Sequence, residues 1–306
     1  MKTLTLTHSH RMGEGVMRRV LKLLLSLAVR GWDVSRIGLL WLIGRQPPSS
    51  CVVLYYHGIR PGQRERFARQ MDELLRLTLP LRAGYRDTLK PGRRYSAVTF
   101  DDGFLSVLKN ALPELEQRRI PATWFIPSGC LGRRPPWLTN AESPGWQERI
   151  LTEEQLASLK DHPLLTVGSH SVSHPRLSEL RDDACVRELR QSRSDLERIL
   201  GKQITEFSFP HGKCDARLIQ LAKAAGYKRV FTIQPALALS WADEFVTGRV
   251  AVDPDDWRLE FRLKLLGAYR WGAMVGRWRQ VQNAGTEPRP ECAGPVRPEI
   301  AGSNAG

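Results

Sequence analysis

From Cys51 onward the chain alternates short apolar, β-branched or aromatic runs with longer segments of helical period. The runs Val52–Tyr56, Ala97–Phe100, Ala122–Ile126, Leu164–Val167, Glu206–Phe209, Arg229–Ile233 and, more weakly, Phe245–Val250 read as strands. Between them, apolar residues three and four apart predict helices over Phe67–Leu77, Leu105–Gln117, Glu153–Lys160, Arg181–Leu200 and Ala216–Ala225. A further basic, apolar helix is predicted after Asp253, carried by Trp257, Phe261, Leu265, Leu266 and Tyr269. Strands alternating with helices imply parallel pairing through right-handed crossovers, in an open sheet or a (β/α) barrel.

Three stretches stand outside this rhythm. Before Cys51, Leu21–Val29 and Ile37–Ile43 are apolar runs too short to span a bilayer. No clean small-residue cleavage site follows Ala28-Val29-Arg30, so residues 16–45 are expected to form two amphipathic helices that pack on the domain or lie on a membrane. The long loop Pro127–Leu151 carries Trp137 and Trp146, which argue for order and a functional role. Residues 281–306, rich in Pro, Gly and Ala, read as a disordered tail. The expected organisation is thus a helical segment over 1–48, a catalytic domain over 49–280, and the tail.

The net charge of +14 changes the picture only once it is located. Residues 1–50 carry eight Lys/Arg against two Asp/Glu, and residues 258–280 carry six against one. Basicity on the flanks argues against a nucleic-acid cleft through the middle and is better matched to an anionic membrane surface or glycan. Five widely spaced cysteines without a C-x-x-C pair argue against a disulfide scaffold and a cysteine zinc ribbon and are compatible with a reducing compartment. The protein is accordingly expected in the cytoplasm or at the inner face of the membrane.

Candidate chemistry sits where the strand runs end. Cys51–Tyr56 runs into His57-Gly58, and Ala97–Phe100 into Asp101-Asp102-Gly103. Leu164–Gly168 runs into Ser169-His170 with His174 four residues on, and Glu206–Phe209 into Pro210-His211-Gly212. In a parallel barrel or sheet these ends share one face, where active sites are built. One carboxylate with two imidazoles suits catalytic zinc or a similar divalent ion. Pro175 argues for a single turn or a loop at His174 rather than a long helix. Adjacent aspartates point in different directions, so one is expected to bind the metal while the other accepts a proton.

Thr99-Phe100-Asp101-Asp102-Gly103, His170-Ser171-x-x-His174 and Phe209-Pro210-His211-Gly212 together resemble the polysaccharide deacetylase family, also described as the NodB-homology or carbohydrate esterase family 4 domain. The opening Leu54-Tyr55-Tyr56-His57-Gly58 and Ile120–Phe125 resemble members acting in exopolysaccharide or poly-N-acetylglucosamine biosynthesis, and the likeness covers about residues 50–235. It implies a distorted (β/α) barrel and metal-dependent hydrolysis of an N-acetyl group, with Asp101 as general base and Asp102, His170 and His174 as ligands of a divalent metal, zinc first. A backbone N–H in the Pro210-His211-Gly212 turn would help hold the oxyanion. Trp137 or Trp146 would line the cleft for an N-acetylated glycan, or else anchor the loop.

The sequence departs from the family pattern twice. Ser208 stands where an arginine orients the base, and although Arg249 is a possible substitute, nothing in the sequence places it there. No histidine follows His211, although a late histidine usually supplies the acid. Leu54-Tyr55-Tyr56-His57 matches the missing Leu-x-x-His motif at the other end of the chain, and a closed barrel makes first and last strands neighbours, so His57 is assigned as general acid. Asp253-x-x-Asp256-Trp257 is read as a helix cap. The two departures also support an alternative, a non-catalytic glycan-binding or scaffold protein of the same fold.

Overall fold

The computed structural model describes the backbone of residues 3–140, 147–240 and 244–273, with side chains from residue 17. Helix α1 (Thr3–Leu42) leads into β1 (Ser50–Tyr56), α2 (Arg64–Leu77), β2 (Leu79–Leu81), β3 (Arg94–Phe100) and α3 (Leu112–Arg118). There follow β4 (Ala122–Ile126), α4 (Glu153–Ser158), β5 (Leu165–Ser169), α5 (Asp182–Leu200), β6 (Glu206–Ser208) and α6 (Ala216–Ala224). The last elements are β7 (Arg229–Phe231), β8 (Val246–Thr247), β9 (Val250–Ala251) and α7 (Arg258–Leu265). The strands pair in parallel in the order β8-β7-β6-β5-β4-β3-β1-β9, with β2 also on β3.

The two edge strands are sequence neighbours. Between β8, which pairs with β7, and β9, which pairs with β1, lie only Gly248 and Arg249. The three steps from Thr247 to Val250 span at most about 11 Å, so the sheet must curl until its edges nearly meet. The result is the expected distorted (β/α) barrel, seamed at Gly248-Arg249, with first and last strands adjacent.

Strand alternation then sorts side chains into two layers. Val52, Leu54, Val98, Phe100, Trp124, Phe207 and Val230 face the helices and form the main core. Cys51, Val53, Ala97, Phe125 and Phe231 point into the barrel and fill it. The barrel is tight: a Cβ on Gly168 would meet the Phe125 ring at 2.5 Å. Because the odd positions of β3 point inward, Asp101 arrives at the barrel mouth already aimed at its axis, and in β5, where the even positions such as Gly168 point inward, so does His170.

Four expectations need correction. The N-terminal segment is one helix rather than two, because no proline interrupts it and its packed positions keep one register across Gly31. Phe245–Val250 is split into two strands serving opposite edges of the sheet. The helix expected over 105–117 is present, but within it Val107–Ala111, ahead of Pro113, is π-helical rather than α-helical. The edge strand β2 was not expected, since three residues with a central proline give almost no strand signal. Trp146 and the 281–306 tail lie outside the described residues.

Candidate active site

Asp101 follows β3 directly, and its N–H donates to the Tyr56 carbonyl (3.0 Å), extending the strand ladder by one residue. Its carboxylate is buried and receives a two-pronged guanidinium: Arg249 Nη1 donates to Oδ1 (2.7 Å) and Nη2 to Oδ2 (2.8 Å). Arg249 Nη2 also donates to Ser208 Oγ (2.8 Å), and Nη1 to Thr99 Oγ1 (3.1 Å). Arg249 itself is fully buried, with its guanidinium 4.7 Å from the Tyr55 ring centroid and 5.4 Å from that of Phe125. Burial alone would push the Asp101 carboxyl up; the charge and hydrogen bonds of Arg249 outweigh it and hold the group below the usual carboxylate range. The arginine that orients this aspartate therefore comes from the barrel seam, and the small Ser208 leaves room for it.

Asp102 turns away from its neighbour because its backbone is left-handed (φ 70°), a conformation aspartate tolerates better than most residues. Its Oδ1 lies 3.5 Å from His170 Nε2 and 3.2 Å from His174 Nε2. All three residues are buried, and their candidate ligand atoms lie within 4.8 Å of one another. Two donors each about 2.1 Å from one ion stand roughly 3.0–3.4 Å apart, so the two Asp102–histidine separations are close to those around a shared cation, and an N,N,O set suits zinc. His170 Nδ1 lies 2.8 Å from the Ser208 carbonyl, which can only accept. The proton is therefore on Nδ1 and the Nε2 lone pair is left for a metal.

His174 is held differently. Its N–H donates to Ser171 Oγ (3.0 Å), and its ring stacks on Trp137 (centroids 3.9 Å, planes 25° apart). Burial pushes the imidazole down to about 4 against the pull of Asp102, so it is neutral at physiological pH and able to ligate. Its Nδ1 has no partner among the described residues. Trp137 thus lies against the candidate metal centre and also packs on the core.

The Pro210-His211-Gly212 turn closes one side of the site. His211 has φ 58°, and its ring lies 4.6 Å from that of His174. Of the three residues offered as oxyanion donors, Pro210 has no N–H, and Gly212 donates its own to Phe209 O (2.9 Å). Only the His211 N–H is left for an oxyanion. Gly212 also has φ 68°, and a Cβ there would meet the Ile233 side chain at 2.2 Å.

His57 stands exposed at the end of β1, lining a cavity of about 260 Å³ with Asp102, Glu148, Leu138 and Asp253. Glu148, from the long loop, is a resident the sequence reading missed; burial raises its pKa, with Ser106 partly offsetting through a hydrogen bond. Asp256 does not cap α7. The N-cap residue is Trp257, without a side-chain bond, and the Asp256 carboxylate instead takes Lys264 Nζ (2.7 Å) and the Asp253 N–H (3.1 Å).

Residues 88–230 match the profile of the polysaccharide deacetylase family. The Bacillus subtilis (strain 168) protein YxkH is 25% identical over 223 residues, which cover 69% of this chain and 75% of that one. A poly-beta-1,6-N-acetyl-D-glucosamine N-deacetylase of Staphylococcus aureus (strain MRSA252) is 24% identical over 182 residues, or 58% of this chain and 61% of its own length. Among solved structures, IcaB from Ammonifex degensii superimposes with a TM-score of 0.59 at 25% identity, covering 72% of this chain and 98% of that one.

Proposed function

Because the chain belongs to the polysaccharide deacetylase family, we propose that it is a metal-dependent hydrolase removing acetyl groups from the N-acetylated sugars of a glycan. The observation that carries this reading is the convergence of Asp102, His170 and His174 beside an aspartate clamped by a buried arginine. A divalent ion held by those three would supply Lewis acidity, making water at the site more acidic and polarising the acetyl carbonyl. Every other step falls to groups of this chain. Asp101, kept ionised and fixed in direction by Arg249, accepts the proton of the attacking water. The His211 N–H is the turn's donor to the tetrahedral oxyanion. His57, at the cavity wall, delivers a proton to the departing amine. The scaffold alternative loses part of its support, because the guanidinium missing at Ser208 is supplied by Arg249.

The test is acetate release from N-acetylglucosamine oligomers, with and without chelator, alongside the metal content of the purified protein. Activity lost on chelation and restored by a divalent ion is expected. Asp101→Asn should retain the metal and lose turnover, whereas Asp102→Ala should lose both. A protein that binds no divalent ion under any condition would leave the scaffold reading standing.

A further inference from the structure

We propose that the outward face of α1 seats this protein on an anionic lipid bilayer, with the helix lying in the plane of the membrane. A surface helix of a globular domain ordinarily buries its apolar stripe and shows polar residues to water. In α1 the arrangement is reversed. The positions facing the domain recur at spacings of four and three, and polar contacts dominate them. Arg19 Nε donates to Glu260 Oε2 (2.6 Å), Ser26 Oγ accepts from Trp271 Nε1 (2.9 Å), and Asp33 pairs with Arg270 (2.6 Å). Leu23 is the only large apolar side chain of the helix that is fully buried among the described residues.

Among the described side chains the opposite face repeats with the same spacing and is apolar apart from Ser35. Met17, Leu21, Leu24, Trp32, Leu39 and Leu42 all point into solvent; Leu24 is 58% exposed, Trp32 70% and Leu42 85%. Arg18, Lys22 and Arg36 flank one border of this face; Arg36 follows Arg18 by eighteen residues, five helical turns, and so lies directly in line with it. None of the three has a carboxylate partner among the described residues, whereas the lone acid between residues 17 and 48, Asp33, is engaged by Arg270. At the C-terminal end of the helix, Arg30, Arg36, Arg93 and Arg94 open onto one cavity of about 550 Å³.

Charge selects the occupant. A second copy docked on this face would bring the same cations together around a shared apolar seam, with no free carboxylate among the described side chains of α1 to neutralise them. Among the described residues no helix is long and apolar enough to cross a membrane. An anionic bilayer satisfies both features at once, taking the apolar face into the acyl boundary and the flanking cations at the phosphates. The orientation has a consequence for the site. The Arg19 end of α1 touches Asp255 and Glu260, close after β9 at the barrel mouth, while the Trp41 end lies near Ser50 and Arg94, where β1 and β3 begin. The helix therefore runs along the barrel wall, and a protein seated on it presents its mouth beside the membrane surface.

This inference does not rest on the deacetylase reading, and its test reads no activity. The full chain is floated with phosphatidylcholine vesicles and with phosphatidylcholine/phosphatidylglycerol vesicles, and its solution mass is measured by light scattering. Flotation with the anionic vesicles only is expected, weakened at high salt. Leu24→Glu with Leu39→Glu should abolish it; both sites are solvent-exposed, so the thermal melt should not change. Arg18→Gln, Lys22→Gln and Arg36→Gln combined should weaken partitioning about a hundredfold, and this second variant decides the matter if the first fails to fold. Failure to float with either lipid, flotation indifferent to the charge variant, or a dimer that the glutamates convert to monomer would each overturn the proposal.

Discussion

Replacing Arg249 by methionine keeps most of its volume and removes the guanidinium that holds Asp101. The Asp101 carboxylate is then buried beside Ser208 with no cation. Stripping one partner from a buried ion pair costs about 3–5 kcal/mol, which for a domain of this size lowers Tm by on the order of 10 °C. The protein can escape part of that cost by protonating Asp101. In the native fold the carboxyl is held below its ordinary value of 3.8, so its contribution to stability is present above that pH and is lost as pH falls through the depressed value. In Arg249→Met burial dominates instead, the folded pKa moves above 3.8, and stability falls as pH rises through the new value. Activity follows the same shift. A base that is protonated or misdirected should cost about a hundredfold or more in kcat, with the acid limb of the pH–rate profile displaced upward. Arg249→Lys keeps the charge without the two-pronged geometry and should fall between. The assay is acetate release against pH, paired with melts of both variants. A methionine variant with the native acid limb and the native Tm would refute the argument.

Three further outcomes follow from the same geometry. Trp137→Ala removes the ring stacked on His174 and should weaken metal affinity by about ten- to a hundredfold; a raised KM with unchanged metal affinity would make Trp137 a cleft wall instead. His57→Ala should keep fold and metal but lose most amide turnover, losing least on activated aryl acetates, whose leaving group needs no proton; equal losses on both substrates would remove His57 from the mechanism. Glu206, buried in the barrel interior, is raised from 4.5 to about 7, chiefly by desolvation. Its share of stability is full below 4.5 and disappears as pH rises through about 7, a change of about 3 kcal/mol. Glu206→Gln should therefore flatten the dependence of Tm on pH over that window, and identical slopes in the two proteins would contradict the burial argument.

Local pattern was enough for much of this protein. Each strand that delivers a candidate site residue is a run of β-branched or aromatic side chains, and a parallel sheet has to gather the ends of such runs on one face. Asp101, Asp102, His170 and His174 were legible for that reason, since each lies at or just after the end of its strand. Other features depended on contacts between residues distant in sequence, which no window of sequence contains. Arg249 lies 148 residues from the aspartate it holds, and its only local signal was a cation within an apolar run. It reaches Asp101 because Val246–Ala251 joins both edges of the sheet, a fact of barrel closure that periodicity cannot express. Glu148 was hidden in a loop of no regular period. The N-terminal helix failed in the opposite way: its apolar residues were read correctly as an amphipathic face, but only the packing of Arg19, Ser26 and Asp33 against the domain decided that this face points outward.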